Sequence, residues 1–197
     1  MSEFFNKYYD TFMSPLEKRG FRAIRKRLLE QAQGTVLEIG SGTGINFSYY
    51  QHANKVIAVE PDPSMLEQSL IRVKHADRPI EVLSAGAERL PFPSDFFDSV
   101  VGTLVFCTIP DPLAALTEIR RVCKPGGKVL LFEHVKLNHP LWGALQEWLT
   151  PAWKSLLGGC HLNRNTLELI KQAGFQITHI EWKYKKLFMI VEAMNEK

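Results

Sequence analysis

From Gly34 onward, short apolar runs alternate with stretches whose apolar positions recur every three or four residues. The runs fall at residues 35–39, 55–60, 80–84, 97–106 and 128–133, followed by 176–183 and 186–192. Near-continuous apolar runs of this length are strands buried on both faces, and the intervening periodic stretches are helices. The alternation predicts an α/β fold with a mostly parallel sheet covered on both sides.

Local signals place several helix ends. Asp62 followed by Pro63 opens a helix, with Asp62 as cap and Pro63 at the first helical position, where a missing N–H costs nothing. A helix over 112–123 ends in the turn Lys124-Pro125-Gly126-Gly127, and Asn165 with Glu168 starts another that runs to Ala173-Gly174. The last two runs read as a hairpin closing the sheet edge. Before Gly34, Phe4, Phe5, Tyr8, Tyr9 and Phe12 mark a helix over 4–12 that breaks at Ser14-Pro15. A second helix over 15–31 carries Arg19, Arg22, Arg25, Lys26 and Arg27, read as a solvated basic face. Between Asn138 and Asn163 the periodicity fails, with Pro140, Trp142, Trp148, Pro151, Trp153 and Gly158-Gly159-Cys160 irregularly spaced.

Composition narrows the class. With 197 residues, 45% hydrophobic and 23% charged, the chain fits one substantial core and is short for two. The net charge of +3 is spread along the chain, which gives no footprint for nucleic acid. No run is long enough to span a bilayer and the start lacks the order of a secretory signal, so a cytoplasmic location is expected. Cys107, Cys123 and Cys160 form no Cys-x-x-Cys pair and are expected as reduced thiols.

The chemistry centres on 35–44, a β-branched strand entering Gly40-Ser41-Gly42-Thr43-Gly44. Alternate glycines let a ligand reach the main chain. A dinucleotide fingerprint requires its third glycine at position 45, which holds Ile45, and no Tyr-x-x-x-Lys pair is present; both disfavour an oxidoreductase. Glu38 before the glycines and Glu60 after the next strand suit a nucleoside with a cationic tail, because a carboxylate accepts both ribose hydroxyls and repels a diphosphate.

Glu38-x-Gly40-x-Gly42-x-Gly44, then Glu60, then Ala87-Glu88-Arg89-Leu90-Pro91-Phe92, resembles the class I S-adenosylmethionine-dependent methyltransferases, in particular the small-molecule branch that methylates quinones, phospholipids and thiols. The resemblance implies a Rossmann-like sheet of seven strands, the C-terminal one antiparallel, and S-adenosylmethionine as cofactor. It also implies a division into a helical lid (1–33), a cofactor core (34–135), an acceptor-side insertion (136–163) and a closing helix with strands (164–197). By the same resemblance Gly40, Gly42 and Gly44 approach the amino-acid half of the cofactor and Glu38 lies near its amine. Glu60, beside Pro61, takes the ribose, while Met65, Ala87 and Glu88 meet the adenine; Tyr9 reaches in from the lid. Met65 is equally explained by an apolar helix face. Thr103 and Cys107, at the carboxyl end of the fourth strand, face either the ligand or the sheet interior.

The stretch Glu133-His134-Val135, with Pro151-Ala152-Trp153 and Gly159-Cys160-x-Leu162-x-Arg164 further on, is most similar to the thiol S-methyltransferases. Those enzymes carry an N-terminal membrane anchor where this chain has its Phe/Tyr helix. Trp148 and Trp153 either pack on the sheet or wall a hydrophobic acceptor pocket. His134 is the candidate base, if the acceptor needs one. His134, His139, Cys160 and His161 match no zinc spacing, and no metal is expected. The expected function is methyl transfer to a small or lipid-like acceptor. A non-catalytic S-adenosylmethionine-binding module and phospholipid N-methylation are the alternatives. Peripheral membrane contact and oligomeric state are left open.

Overall fold

The computed structural model describes residues 3–137, 139–156 and 159–197. Seven strands form one sheet: β1 (Gly34–Ile39), β2 (Ala53–Val59), β3 (Ile80–Leu83), β4 (Phe97–Thr103), β5 (Cys123–His134), β6 (Gln176–Lys183) and β7 (Phe188–Met194). Their order is β3-β2-β1-β4-β5-β7-β6. The first five are mutually parallel, and β7 runs antiparallel to both β5 and β6. The chain reverses direction along the sheet after β3, so β1 and β4 sit side by side at the switch point, where open α/β sheets bind ligands beyond the strands' carboxyl ends.

Side-chain alternation gives the sheet two apolar faces. Leu37, Ile39, Ile57, Val100 and Leu131 pack with α4 (Pro112–Val122) and α6 (Thr166–Gln172) on one side. Val36, Val56, Ala58, Val101 and Phe132 pack with α2 (Arg22–Leu29) on the other, where Val73 of α3 (Pro63–Val73) joins them. The predicted caps form. Asp62 accepts from the amides of Ser64 and Met65 at 3.0 and 3.2 Å, and Asn165 accepts from Glu168 at 3.4 Å.

Four expectations need correction. α1 spans Glu3–Leu16 with Pro15 inside it, so the break is not at Ser14-Pro15. The chain turns at Gly20 (φ 136°) within the π-helical turn Glu17–Phe21, where a Cβ would meet the Tyr184 hydroxyl at 2.7 Å. Arg25 is not on a solvated face: it is 1% exposed. β4 stops at Thr103, because Leu104 adopts φ 56° and swings residues 104–106 off the strand while its amide still donates to Phe132. Finally, the stretch read as irregular contains a helix, α5 (Pro140–Leu156), with Pro151 inside it. Its pattern misleads because the buried positions among the described residues are Gly143 and two polar residues, with no large apolar side chain. Gln146 and Thr150 are 8% and 7% exposed, whereas Leu141, Trp142 and Trp148 face outward. Gln146 holds the inner face by accepting from the Leu137 amide (2.7 Å) and donating to the Val135 carbonyl (3.3 Å). Asn138 and Gly158 of that stretch lie outside the described residues. Among the described residues no helix is long and apolar enough to cross a membrane.

Candidate active site

The three glycines after β1 all have positive φ, at 60°, 55° and 78° for Gly40, Gly42 and Gly44, but their surroundings differ. A Cβ on Gly40 would stand 2.2 Å from Val105, and one on Gly44 2.7 Å from the Phe47 ring. One on Gly42 meets nothing within 4 Å. Packing of the loop therefore requires glycine at 40 and 44, while Gly42 borders open space.

That space is a cavity of about 540 Å³ over the carboxyl ends of β2, β1, β4 and β5. Glu60, at the end of β2, shapes its floor: one carboxylate oxygen accepts from the Gly42 amide (2.8 Å) and the other from the Asp62 amide (2.9 Å). Burial raises the Glu60 pKa, and the two amide bonds oppose the rise. Pro61 and Met65 line the wall beside it, and Glu88 reaches the same cavity from the loop after β3. Ser41, between the first two glycines, also lines it with a buried hydroxyl that has no protein partner. A cavity of this size, with one open glycine, a strand-end carboxylate and an unpartnered hydroxyl, fits a nucleoside with a polar tail.

α1 closes one side. Asn6 donates to Asp62 (2.8 Å), and Thr43 of the glycine loop donates to Asp10 (2.8 Å), so the helix is bonded to both loops that frame the ligand space. Tyr9 and Met13 face inward from it, and burial pushes the Tyr9 phenol up to about 12.

Behind the glycine loop lies a buried polar network. Arg25 donates to Glu17 (3.0 Å), Asn46 (2.9 Å) and Thr103 (2.6 Å). Asn46 in turn donates to Glu38 (2.8 Å), whose other oxygen accepts from Tyr50 (2.7 Å). Glu38 is thus placed away from the cavity wall, fully engaged in holding the loop, and burial pushes its pKa to about 7. Arg25, Asn46 and Thr103 do line the cavity. The sequence carried a signal for Arg25, since it shares the helical spacing of Phe21, Leu28 and Ala32, all of them buried. Nothing comparable marked Asn46.

At the β4–β5 end, Cys107, His134 and Trp153 line the cavity together with Cys160, Leu162 and Phe188. His134 leaves its Nδ1 without a partner, and burial holds its pKa down at about 4, so the ring is neutral. Arg164 donates to the carbonyls of Phe106 and Ile109 and pins the turn after β4. The remaining expected residues stand elsewhere. Gly44 lies under Phe47 and Ala87 sits in the core below the third-strand loop. Trp148 is 76% exposed on the outer face of α5, which corrects its placement as a wall of an acceptor pocket.

Comparison with known proteins agrees with this geometry. Residues 37–131 match the methyltransferase domain family. A thiol S-methyltransferase of Rattus norvegicus is 32% identical over 191 residues, covering 89% of this chain and 78% of that protein. A phosphatidylethanolamine N-methyltransferase of Cereibacter sphaeroides is 33% identical over 103 residues, 51% of each. The crystal structure of an S-adenosylmethionine-dependent methyltransferase from Mesorhizobium loti superposes with a TM-score of 0.69 at 18% identity, covering 87% of this chain and 96% of that one. A shared fold alone does not demand a third of all positions along nearly the whole chain; this one belongs to the class I S-adenosylmethionine-dependent methyltransferases, and S-adenosylmethionine is its methyl donor.

Proposed function

We propose that the enzyme methylates a small lipophilic thiol. The observation that supports this reading is the apolar acceptor end of the cavity, lined by Ile109, Trp153, Leu162 and Phe188 together with the neutral His134. The similarity to a thiol S-methyltransferase over most of the chain points the same way. In this reading the chain is one domain, with the lid, core, insertion and closing segments divided as expected from the sequence, and it works in the cytoplasm.

Bound S-adenosylmethionine supplies a methyl group already activated by its sulfonium. The protein's task is to align, to exclude water and to handle one proton. Gly40, Ser41 and Gly42 receive the amino-acid half. Glu60 takes the ribose hydroxyls with the lone pairs its two amide bonds leave free, Met65 and Glu88 meet the adenine beside Ala87, and Tyr9 covers the ligand from α1. Glu38 and Gly44 act through the loop they hold. Thr103 and Cys107 mark the passage to the acceptor. The neutral His134 ring lines the acceptor end, but a ring with a pKa near 4 does not retain the proton of a thiol whose ordinary pKa is about 8.5. It orients the sulfur, and the proton leaves to solvent.

Incubation of the purified protein with labelled cofactor and a panel of thiols, amines, phenols and phospholipid head groups tests the reading. Turnover of lipophilic thiols ahead of the rest is the expected result. Transfer to amines alone would replace it with the N-methylation suggested by the second relative, and cofactor binding without transfer to any acceptor would leave a binding module.

A further inference from the structure

Two cysteines that the methyl transfer does not use as reagents meet at the acceptor end. Cys107 follows the turn after β4 and is buried, whereas Cys160 comes 53 positions later, on the segment following α5, and is only partly covered. The backbone joins them: the His161 amide donates to the Cys107 carbonyl at 2.8 Å. The two thiols are electrostatic neighbours, the Cys107 thiol donates to the Leu104 carbonyl at 3.6 Å, and both side chains line the cavity. We propose that Cys107 and Cys160 form an oxidisable dithiol, which a hydroperoxide converts into a disulfide across the acceptor end of the cavity.

The two sulfurs are unlike in the way such a reaction needs. The neighbouring Cys107 thiol lowers the Cys160 pKa, burial opposes this, and the Trp153 indole N–H and Arg164 lower it further. Cys107, beside Cys160 and the more deeply buried of the two, is pushed well up. Cys160 is therefore the more acidic and more accessible thiol, the one that reacts first, and Cys107 is the resolving thiol. In the first step the Cys160 sulfur attacks the outer peroxide oxygen and the O–O bond breaks. The departing alkoxide takes a proton from solvent, replacing the one Cys160 gave up, and Cys160 becomes a sulfenic acid. In the second step the Cys107 sulfur attacks that of Cys160. The S–O bond breaks and hydroxide leaves with the Cys107 proton as water. Two thiols lose two electrons, and the hydroperoxide is reduced to an alcohol and water.

The position of the bond sets its effect. In the strand order β2-β1-β4, Cys107 lies two strands from Glu60, roughly 10 Å at the usual spacing. Oxidation thus alters the end assigned above to the acceptor, an assignment that rests on the proposed function, and leaves the glycine loop untouched. Formation of the bond itself does not depend on which acceptor the enzyme takes. Cys123 is an internal control, since it is buried in the core away from the cavity and burial pushes its thiol up to about 12.

The test treats the full chain with hydrogen peroxide and maps peptides without reduction. The expected result is a linked peptide joining Cys107 to Cys160, a mass lower by two hydrogens, and restoration by dithiothreitol. In Cys107→Ser the reaction should stop at a sulfenic acid on Cys160 that dimedone traps, and in Cys160→Ser dimedone should label neither remaining cysteine. The oxidised protein should keep its affinity for S-adenosylhomocysteine and lose methyl transfer. Absence of the linked peptide, dimedone labelling of Cys107 in Cys160→Ser, or oxidation of Cys123 at an equal rate would overturn the pairing. Loss of S-adenosylhomocysteine binding on oxidation would overturn its placement at the acceptor end.

Discussion

At the β2 end of the cavity Glu60 places both carboxylate oxygens on backbone amides, whereas at the β5 end Glu133 leaves one of its own without a partner. The same contrast runs through their neighbours. Around the glycine loop, Thr43, Asn46 and Asp62 all have partners, while Ser41 keeps a buried hydroxyl without one. Around the turn after β4 stand an unpartnered imidazole nitrogen, an unpartnered carboxyl oxygen and two thiols. An end built from saturated backbone bonds is fixed in shape and suits a ligand that never changes. One built from unpaired, ionisable side chains can adjust its protonation and bonding to what enters.

Substitution at the cofactor end should give the largest effect. Gly42→Val should fold, at a cost of about 1–2 kcal/mol for a left-handed β-branched residue, because its side chain meets only cavity. Calorimetry should then detect no binding of S-adenosylhomocysteine. Gly40→Val should instead fail to reach a stable fold, since Val105 stands in the way. Normal affinity in Gly42→Val would place the ligand elsewhere and dissolve the contrast.

The acceptor end should reveal itself through pH. Burial pushes Glu133 to about 8, above its ordinary 4.5, so folding favours the protonated carboxyl. The associated stability is complete below about pH 4.5 and is lost as pH rises through 8, a change on the order of 5 kcal/mol. Glu38, pushed to about 7, contributes with the same sign. Urea midpoints of the native protein should therefore fall between about pH 5 and 8, and Glu133→Gln should remove the upper part of that slope. A slope unchanged by the substitution would show that Glu133 is already ionised.

Smaller effects sharpen the boundary between the ends. Glu60→Ala should weaken S-adenosylhomocysteine binding by about 1.5–3 kcal/mol, or roughly ten- to 150-fold, with acceptor KM unaffected. Trp153→Ala should do the reverse, raising acceptor KM about tenfold through lost apolar contact while cofactor affinity stays constant. Trp148→Ala, on the outer face of α5, should change neither. Steady-state kinetics in which Trp148 and Trp153 behave alike would merge the two faces of that helix.

The same division decided what could be read from the sequence. The sheet, the glycine turn, the Asp62 cap and the place of Glu60 follow from main-chain geometry, which leaves a residue-type trace at each position: β-branched runs, glycines with positive φ, Asp before Pro. The Arg25–Asn46–Glu38 network arises from side chains brought together across 8 to 78 positions, so spacing along the chain does not announce it. α5 was missed for a definite reason. Periodicity finds a helix when its apolar face is the buried one, and here the buried positions among the described residues are Gly143, Gln146 and Thr150.

β7 comes after β6 in the chain but lies between β6 and β5 in the sheet. During synthesis, β5 therefore leaves the ribosome with one edge open from Lys128 to His134 and keeps it open until Phe188–Met194 has emerged. β6 finds no place in the sheet before then, because its only pairing is with β7 among the described strands. The local β6–β7 hairpin can form on its own and dock as a unit, so completion of the sheet waits on a single late seam rather than on stepwise growth. For that interval the nascent chain carries an unpaired, apolar strand edge, the kind of surface chaperones shield.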